Sequence, residues 1–236
     1  MTRVGSTERA RSAAAGFAGA GAGICLLKVG GASLGRIALP DEPCVVVHGA
    51  GPQISEEMAR RGLEPRFVNG RRVTTPEVLE IVRESFAAAN AAVCASIGPR
   101  AVPLDGADIG LAAVQVPELG LVGDPLPCAP PAIVGALAAG LVPVVSPLAR
   151  GPLNVNADEM ASALAVGLGA ARISFLTDVP GVYLDGELVE SIGAERAETL
   201  VGDGTFDGGI VPKLLAAALA ARAGIAADIG LTAVAA

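Results

Sequence analysis

Two lysines stand out among the cations of this 236-residue chain: of 17 Lys and Arg residues, only Lys28 and Lys213 are lysine. A compact ammonium serves as a point charge for a phosphoryl group or a carboxylate in places where a planar guanidinium does not fit. Lys28 opens the run Lys28-Val29-Gly30-Gly31-Ala32-Ser33 at the end of an apolar segment. Glycines there let backbone N–H groups come close to an anion. The same pair also suits a plain strand–loop turn. The G-x-x-x-x-G-K-[ST] phosphate loop is absent. Lys213 closes Asp207-Gly208-Gly209-Ile210-Val211-Pro212-Lys213, a glycine loop feeding a helix-like stretch. A lysine in a first helical turn opposes the macrodipole, so its placement favours service to an anion.

Four further segments carry polar residues at strand ends. In Val47-His48-Gly49-Ala50-Gly51-Pro52, small residues before a helix form either an anion nest or an ordinary βα turn. The single histidine, His48, adjoins the strand end and reads as a structural hydrogen-bonding residue rather than a catalyst. Asn69-Gly70-Arg71-Arg72-Val73-Thr74 puts arginine in a loop before a long helix, as a bidentate carboxylate clamp or a solvated cation. Asn154-Val155-Asn156-Ala157-Asp158 holds two of the chain's four Asn. Asp158 there suits an N-cap; alternatively it orients cations while Asn154 donates to a substrate. Phe175-Leu176-Thr177-Asp178-Val179-Pro180-Gly181-Val182 reads as a strand running into a turn.

The elements that must position these residues follow from periodicity. Ile24–Val29, Cys44–Val47, Val142–Val145 and Ile173–Leu176 are apolar without alternation, as in strands covered on both faces. Ile54–Arg61, Pro76–Ser96, Pro131–Ala139, Asp158–Gly167 and Pro212–Arg222 read as helices, with Thr75 as N-cap and Pro76 at the first helical position of the second. Ala101–Pro127 suits hairpin strands. Strands alternating with helices predict an α/β layered fold with a mostly parallel sheet. Ligands then gather where strands end and helices begin.

Composition sets the bounds. The chain is 52% hydrophobic, 17% charged and 3% aromatic, with a net charge of −7; an average chain is about 25% charged. The acidic balance argues against nucleic acid and anionic membranes as partners, but not against a small anionic ligand. The four cysteines lack metal-ligand spacing and read as reduced thiols, and no metal-ligating cluster is predicted. Residues 1–23 read as a flexible Ala/Gly-rich leader, and 24–236 as a single domain. Ala132–Ala149 is uncharged, but Gly140, Pro143 and Pro147 break it into a helix and a strand.

In combination, K-V-G-G, V-V-V-H-G-A-G-P, V-N-G-R-R-V-T, L-V-P-V-V-S-P, N-V-N-A-D, F-L-T-D-V-P-G-V and G-I-V-P-K-L resemble the amino acid kinase family over about residues 24–229. N-V-N-A-D and N-G-x-R-V-T are most similar to its acetylglutamate-phosphorylating branch. The resemblance implies a three-layer αβα sandwich, with an acceptor-binding lobe at about 24–168 and a nucleotide-binding lobe at about 169–236. It implies ATP-dependent phosphorylation of the side-chain carboxylate of N-acetyl-L-glutamate in arginine biosynthesis, in the cytoplasm, with Mg²⁺ arriving on the nucleotide. Lys28 and Lys213 would stabilise the transferring phosphoryl, with Asp158 orienting them. Ala50, Gly51, Arg72 and Asn154 would bind the acceptor. Gly30, Gly31, Asp178, Val179, Pro180, Gly181, Val182, Tyr183, Thr205, Phe206 and Asp207 would line the nucleotide site. A homodimer or higher homo-oligomer is also implied. The alternatives are a sister kinase for another acylated or carrier-bound glutamate or aminoadipate, and a shortened non-catalytic regulatory paralogue.

Three departures from relatives are expected to matter. The connection between Ser33 and Cys44 is too short for their first crossover helix. Ala50 stands where they carry glycine, which would be strained if φ were positive. The chain ends at Ala236, before their final Gly-Thr strand.

Overall fold

The computed structural model describes residues 23–31 and 37–236. The predicted leader, apart from Gly23, lies outside the described residues. So do residues 32–36, where the shortened crossover falls. Residues 37–43 form neither helix nor strand, and Ile37 and Leu39 pack against the core.

Eight strands make the central sheet: Cys25–Val29 (β1), Cys44–His48 (β2), Ala101–Asp105 (β3), Val142–Ser146 (β4), Arg172–Leu176 (β5), Ser191–Gly193 (β6), Ala226–Ile229 (β7) and Thr232–Ala235 (β8). The order across the sheet is β6-β8-β7-β5-β1-β2-β4-β3, and every neighbouring pair is parallel except β7 with β8. The helices are Gly51–Arg60 (α1), Pro76–Ile97 (α2), Pro131–Ala138 (α3), Ala157–Leu168 (α4), Ala194–Gly202 (α5) and Ile210–Arg222 (α6).

The unalternating strands are apolar because both faces are covered. Leu26, Val45, Val47, Val145, Ile173 and Phe175 face one cluster with residues of α3, α4 and α6. Cys25, Leu27, Val29, Cys44, Val46 and Val144 face another with Val93 of α2. Each fully buried Val or Leu contributes roughly 1.5–3 kcal/mol. The architecture is the expected αβα sandwich.

Local signals set the ends of α2 and α4. The Thr75 hydroxyl accepts from the Val78 N–H at 3.3 Å, and Pro76 occupies the first turn of α2. Gly169, at φ 62°, ends α4 in the left-handed conformation. Only part of Ala101–Pro127 is hairpin: Ala113–Gln115 pairs antiparallel with Gly123–Pro125. Ala101–Asp105 instead joins the main sheet as its edge, where Pro103 is tolerated because one side needs no ladder donor. Residues Thr232–Ala235 end the chain as strand β8, next to β7.

The sheet has one switch point. From β1 the chain builds β2, β4 and β3 on one side, then returns through α4 to start β5 on the other. The carboxyl ends of β1, β2 and β5 therefore open a crevice between diverging connections, where open α/β sheets bind ligands.

Close packing of α4 generates a prediction. A Cβ on Gly167 would run into the backbone N, C and O of Cys128. Gly167→Ala is expected to destabilise the fold by on the order of 2–3 kcal/mol, despite alanine's better helix propensity. Urea denaturation checks this; an unchanged midpoint would mean that the Cys128 segment yields freely.

Candidate active site

Alternation along β1 puts Lys28 on the side of Leu26, facing α4. Its Nζ lies 2.9 Å from Asp158 Oδ1, and both residues are 4% exposed. Lys213 Nζ, from the first turns of α6, lies 3.5 Å from the same oxygen. Oδ1 has no aligned hydrogen bond, so the three groups are held by charge. Burial pulls Lys28 below the usual lysine range and Lys213 adds to the effect, while Asp158 opposes it.

Asp158 is not the N-cap that its position suggested. The Asn156 side chain caps α4, accepting from the N–H groups of Asp158 and Glu159 at 2.8 and 3.2 Å. The cap frees the Asp158 carboxylate for the lysines. Asn156 with Glu159 three residues on is the pattern of a capping box, a signal in the sequence that identifies the cap.

Arg71 and Arg72 are not in a loop. They form a short strand paired antiparallel with Phe67–Val68, turned by Asn69 and Gly70 at φ 49° and 75°. Arg71 donates to Glu159 at 2.9 Å and to Asp124. Arg72 is 7% exposed and has no carboxylate partner among the described residues. It donates to Ser55 Oγ at 2.8 Å and to the Gly51 carbonyl at 3.1 Å, and its guanidinium lies 4.7 Å from the Phe67 ring centroid. A buried guanidinium with only neutral partners is poised for an anion. Asn154 Nδ2 donates to Thr74 Oγ1 at 3.0 Å, and that hydroxyl donates to the Arg72 carbonyl.

These groups surround one cavity of about 430 Å³. Of the residues named from sequence, Lys28, Gly30, Gly31, Ala50 and Gly51 line it, as do Arg72, Asn154, Asp158, Asp178 and Lys213. The other eight do not. Val182 and Phe206 are buried in the core, and Gly181 packs against Thr232 and Leu188. Val179, Pro180, Tyr183, Thr205 and Asp207 are exposed. Phe67, Phe86 and Asn156 line the cavity without having been named from sequence.

The electrostatics favour an anion. Four cations and two carboxylates line the cavity, in a chain of net charge −7. The N-termini of α1, α4 and α6 all reach it, and α1 and α6 have no side-chain cap. Their first N–H groups are left for a ligand. Ala50 has φ −145°, so no left-handed strain attends its replacement of glycine. Gly31 is close-packed: a Cβ would lie 2.8 Å from Gln53 Oε1 and 2.9 Å from Pro52 Cδ, so a side chain there would displace both.

The crevice at the switch point, with its basic lining and uncapped helix starts, defines an open α/β enzyme for anionic small molecules. The chain belongs to the amino acid kinase family, whose family model matches residues 23–230. It is 40% identical to the acetylglutamate kinase of Methanopyrus kandleri over 223 residues, covering 84% of this chain and 91% of that one. It is 39% identical to the Thermus thermophilus acetylglutamate kinase over 216 residues, covering 84% and 86%. Among solved structures, smu.665 from Streptococcus mutans superposes with a TM-score of 0.80 at 24% identity, over 90% of this chain and 98% of that one. The N-acetylglutamate synthase of Neisseria gonorrhoeae shares the fold with a TM-score of 0.73 at 18% identity, over 100% and 66%.

His48 is structural, as expected. Nε2 lies 3.2 Å from Ser146 Oγ, to which Asn90 also donates, and the ring meets Phe86 edge-on at 6.0 Å. Burial lowers its pKa to about 4. A depressed folded pKa gives stability that is fully present above about 6.5 and lost as pH falls toward 4, on the order of 3 kcal/mol when complete. His48→Asn is therefore expected to flatten the fall in thermal midpoint between pH 6.5 and 4.5. Parallel pH profiles for variant and wild type would refute the neutral buried histidine.

Proposed function

We propose that this protein transfers the γ-phosphoryl of ATP to the side-chain carboxylate of N-acetyl-L-glutamate, giving N-acetylglutamyl phosphate for arginine biosynthesis. The observation that carries the reading is the Lys28–Asp158–Lys213 cluster sharing one cavity with the uncompensated Arg72 guanidinium. The relatives that are 39–40% identical support the choice of acceptor.

Phosphoryl transfer needs mainly positioning and charge stabilisation. The acceptor carboxylate oxygen attacks phosphorus, the bond to the bridging β–γ oxygen breaks, and ADP departs with that electron pair. No proton need move. Lys28 and Lys213 neutralise oxygens of the transferring group from two sides, and Asp158 keeps the two ammonium groups from separating. Arg72 takes the α-carboxylate in a charge-assisted pair, and Asn154 supports it through Thr74. Ala50, Gly51 and the start of α1 offer N–H groups to the acceptor. Gly30 and Gly31 do the same for the phosphates.

The nucleotide half of the reading rests on Asp178–Tyr183, which continues from the cavity wall at Thr177 and Asp178, and on Thr205–Asp207. Val182 and Phe206 contribute there through backbone, since their side chains are core. When bound, Mg²⁺ would add charge neutralisation on the nucleotide phosphates. The donor set fits an ion held mostly by those phosphates: Asp158 is engaged by lysines, and Asp178 is exposed at the cavity rim. The same reading carries acceptor binding in about 24–168, nucleotide binding in about 169–236, a homodimer or larger homo-oligomer, and the cytoplasm as location. No helix among the described residues is long and apolar enough to cross a membrane.

Trapping the acyl phosphate as a hydroxamate tests the reaction. Turnover is expected with N-acetyl-L-glutamate, and not with glutamate, aspartate or UMP. Absence of product with every acceptor would reject the kinase reading. Lys213→Arg should lose most activity, at least about tenfold, because a planar fork cannot replace a compact ammonium. Turnover equal to wild type would remove Lys213 from its role.

A further inference from the structure

The proposed nucleotide segment, Asp178–Tyr183, lies outside the central sheet: it is irregular up to Val182, and Tyr183 opens a short hairpin strand paired with Leu188. Something else must hold its shape, because a loop that positions a ligand without support loses binding free energy to its own ordering. The support comes from the turn between β7 and β8. The Leu231 N–H donates to the Pro180 carbonyl at 2.7 Å. The Val182 N–H donates to Thr232 Oγ1 at 2.9 Å, and the same hydroxyl donates to the Val189 carbonyl at 2.7 Å. Thr232 is fully buried. Its one hydroxyl thus spends both its donor and an acceptor position on two backbone groups that flank the hairpin between residues 183 and 188.

Steric fit reinforces the contact. A Cβ on Gly181 would lie 2.6 Å from Thr232 Oγ1 and 3.0 Å from Leu188 Cδ1. Gly230, at φ 58°, leaves no room for a side chain against the Pro180 carbonyl. Both glycines let the two backbones approach closely enough for the hydroxyl to bridge them. The clasped groups, at Pro180 and Val182, lie two and four residues after Asp178, which lines the cavity with Thr177. The hydrogen bonds of Arg72 and Asn154 go to Ser55, Gly51 and Thr74, and none goes to this segment.

We propose that Thr232 is a positioning residue for nucleotide binding: its hydroxyl clasps the backbone at Val182 and Val189 and so fixes the Asp178–Tyr183 segment where it leaves the cavity wall at Asp178, leaving the acceptor side untouched. This rests on the kinase reading above. Thr232→Val keeps the shape and removes the hydroxyl, stranding the Val182 N–H and the Val189 carbonyl. Thr232→Ser keeps the hydroxyl and loses a methyl.

The test is calorimetric titration of the full chain with the non-hydrolysable ATP analogue AMP-PNP and, separately, with N-acetyl-L-glutamate, well below the thermal midpoint of each variant. Thr232→Val is expected to weaken AMP-PNP binding roughly tenfold, to leave acetylglutamate binding within about twofold, and to be rescued by Thr232→Ser. Wild-type AMP-PNP affinity in Thr232→Val overturns the inference. Equal weakening of both ligands also overturns it, because that is what a general loss of packing produces. If wild type itself binds acetylglutamate but not AMP-PNP, the nucleotide reading beneath the inference fails first. A wild type that binds both, with an unaffected valine variant, sinks the clasp alone.

Discussion

One buried carboxylate between two ammonium groups organises this molecule. Asp158 Oδ1 lies 2.9 Å from Lys28 Nζ and 3.5 Å from Lys213 Nζ. At an effective dielectric near 20, each attraction is worth roughly 5 kcal/mol before the cost of desolvation. Burial and the second lysine both work against the charge on Lys28. The cluster is therefore held only while β1, α4 and α6 stay in register, and all three elements contribute buried residues to one core cluster. Leu26, Leu164 and Leu214 are all fully buried around it. Two ammonium groups on one largely buried carboxylate are costly to hold together, and their use is to meet an anion in the cavity that brings the missing charge.

The rest of the cavity extends the same logic. Arg72 is buried among a hydroxyl, a carbonyl, a thioether and an aromatic face, none of which carries a formal charge. Its neighbour Arg71, one residue earlier, is neutralised by Asp124 and Glu159. Adjacent arginines on a two-residue strand point to opposite sides, so one serves the structure and the other is left to the ligand. With α1, α4 and α6 all starting at the cavity, its positive potential comes from side chains and backbone together. Four cations against two carboxylates line the cavity, in a chain whose net charge is −7.

Much of the fold was legible because its signals are local. Thr75 and Pro76 marked the start of α2, and four unalternating apolar runs marked buried parallel strands. The segments that approach the cavity were legible as small residues and cations at strand ends. The errors arose where a residue's role depends on a partner far along the chain. From its own stretch Asp158 read as a cap, because Asp caps helices, and only the family resemblance tied it to Lys28 and Lys213; Asn156 takes the cap. Arg71 and Arg72 looked alike, and only Asp124, Glu159 and Ser55 separate them. Ala101–Asp105 read as hairpin because an edge strand with proline has weak local character, and its pairing with β4 is a tertiary fact. Val182 and Phe206 sit in motif-like runs, yet their side chains belong to the core.

By itself the sequence determined the kinds of element, the layered parallel architecture, and which few polar residues stand where strands end, because propensity and periodicity act over a turn or two of chain. The tertiary structure decided that Lys28 and Lys213, 185 positions apart in sequence, approach the same Asp158 oxygen at 2.9 and 3.5 Å, that one arginine of a pair stays uncompensated, and that Thr232 at the start of β8 grips a loop fifty residues earlier. Charge and hydrogen bonding act through space over a few ångströms. Which groups come within that distance is set by packing, which no local stretch of sequence records.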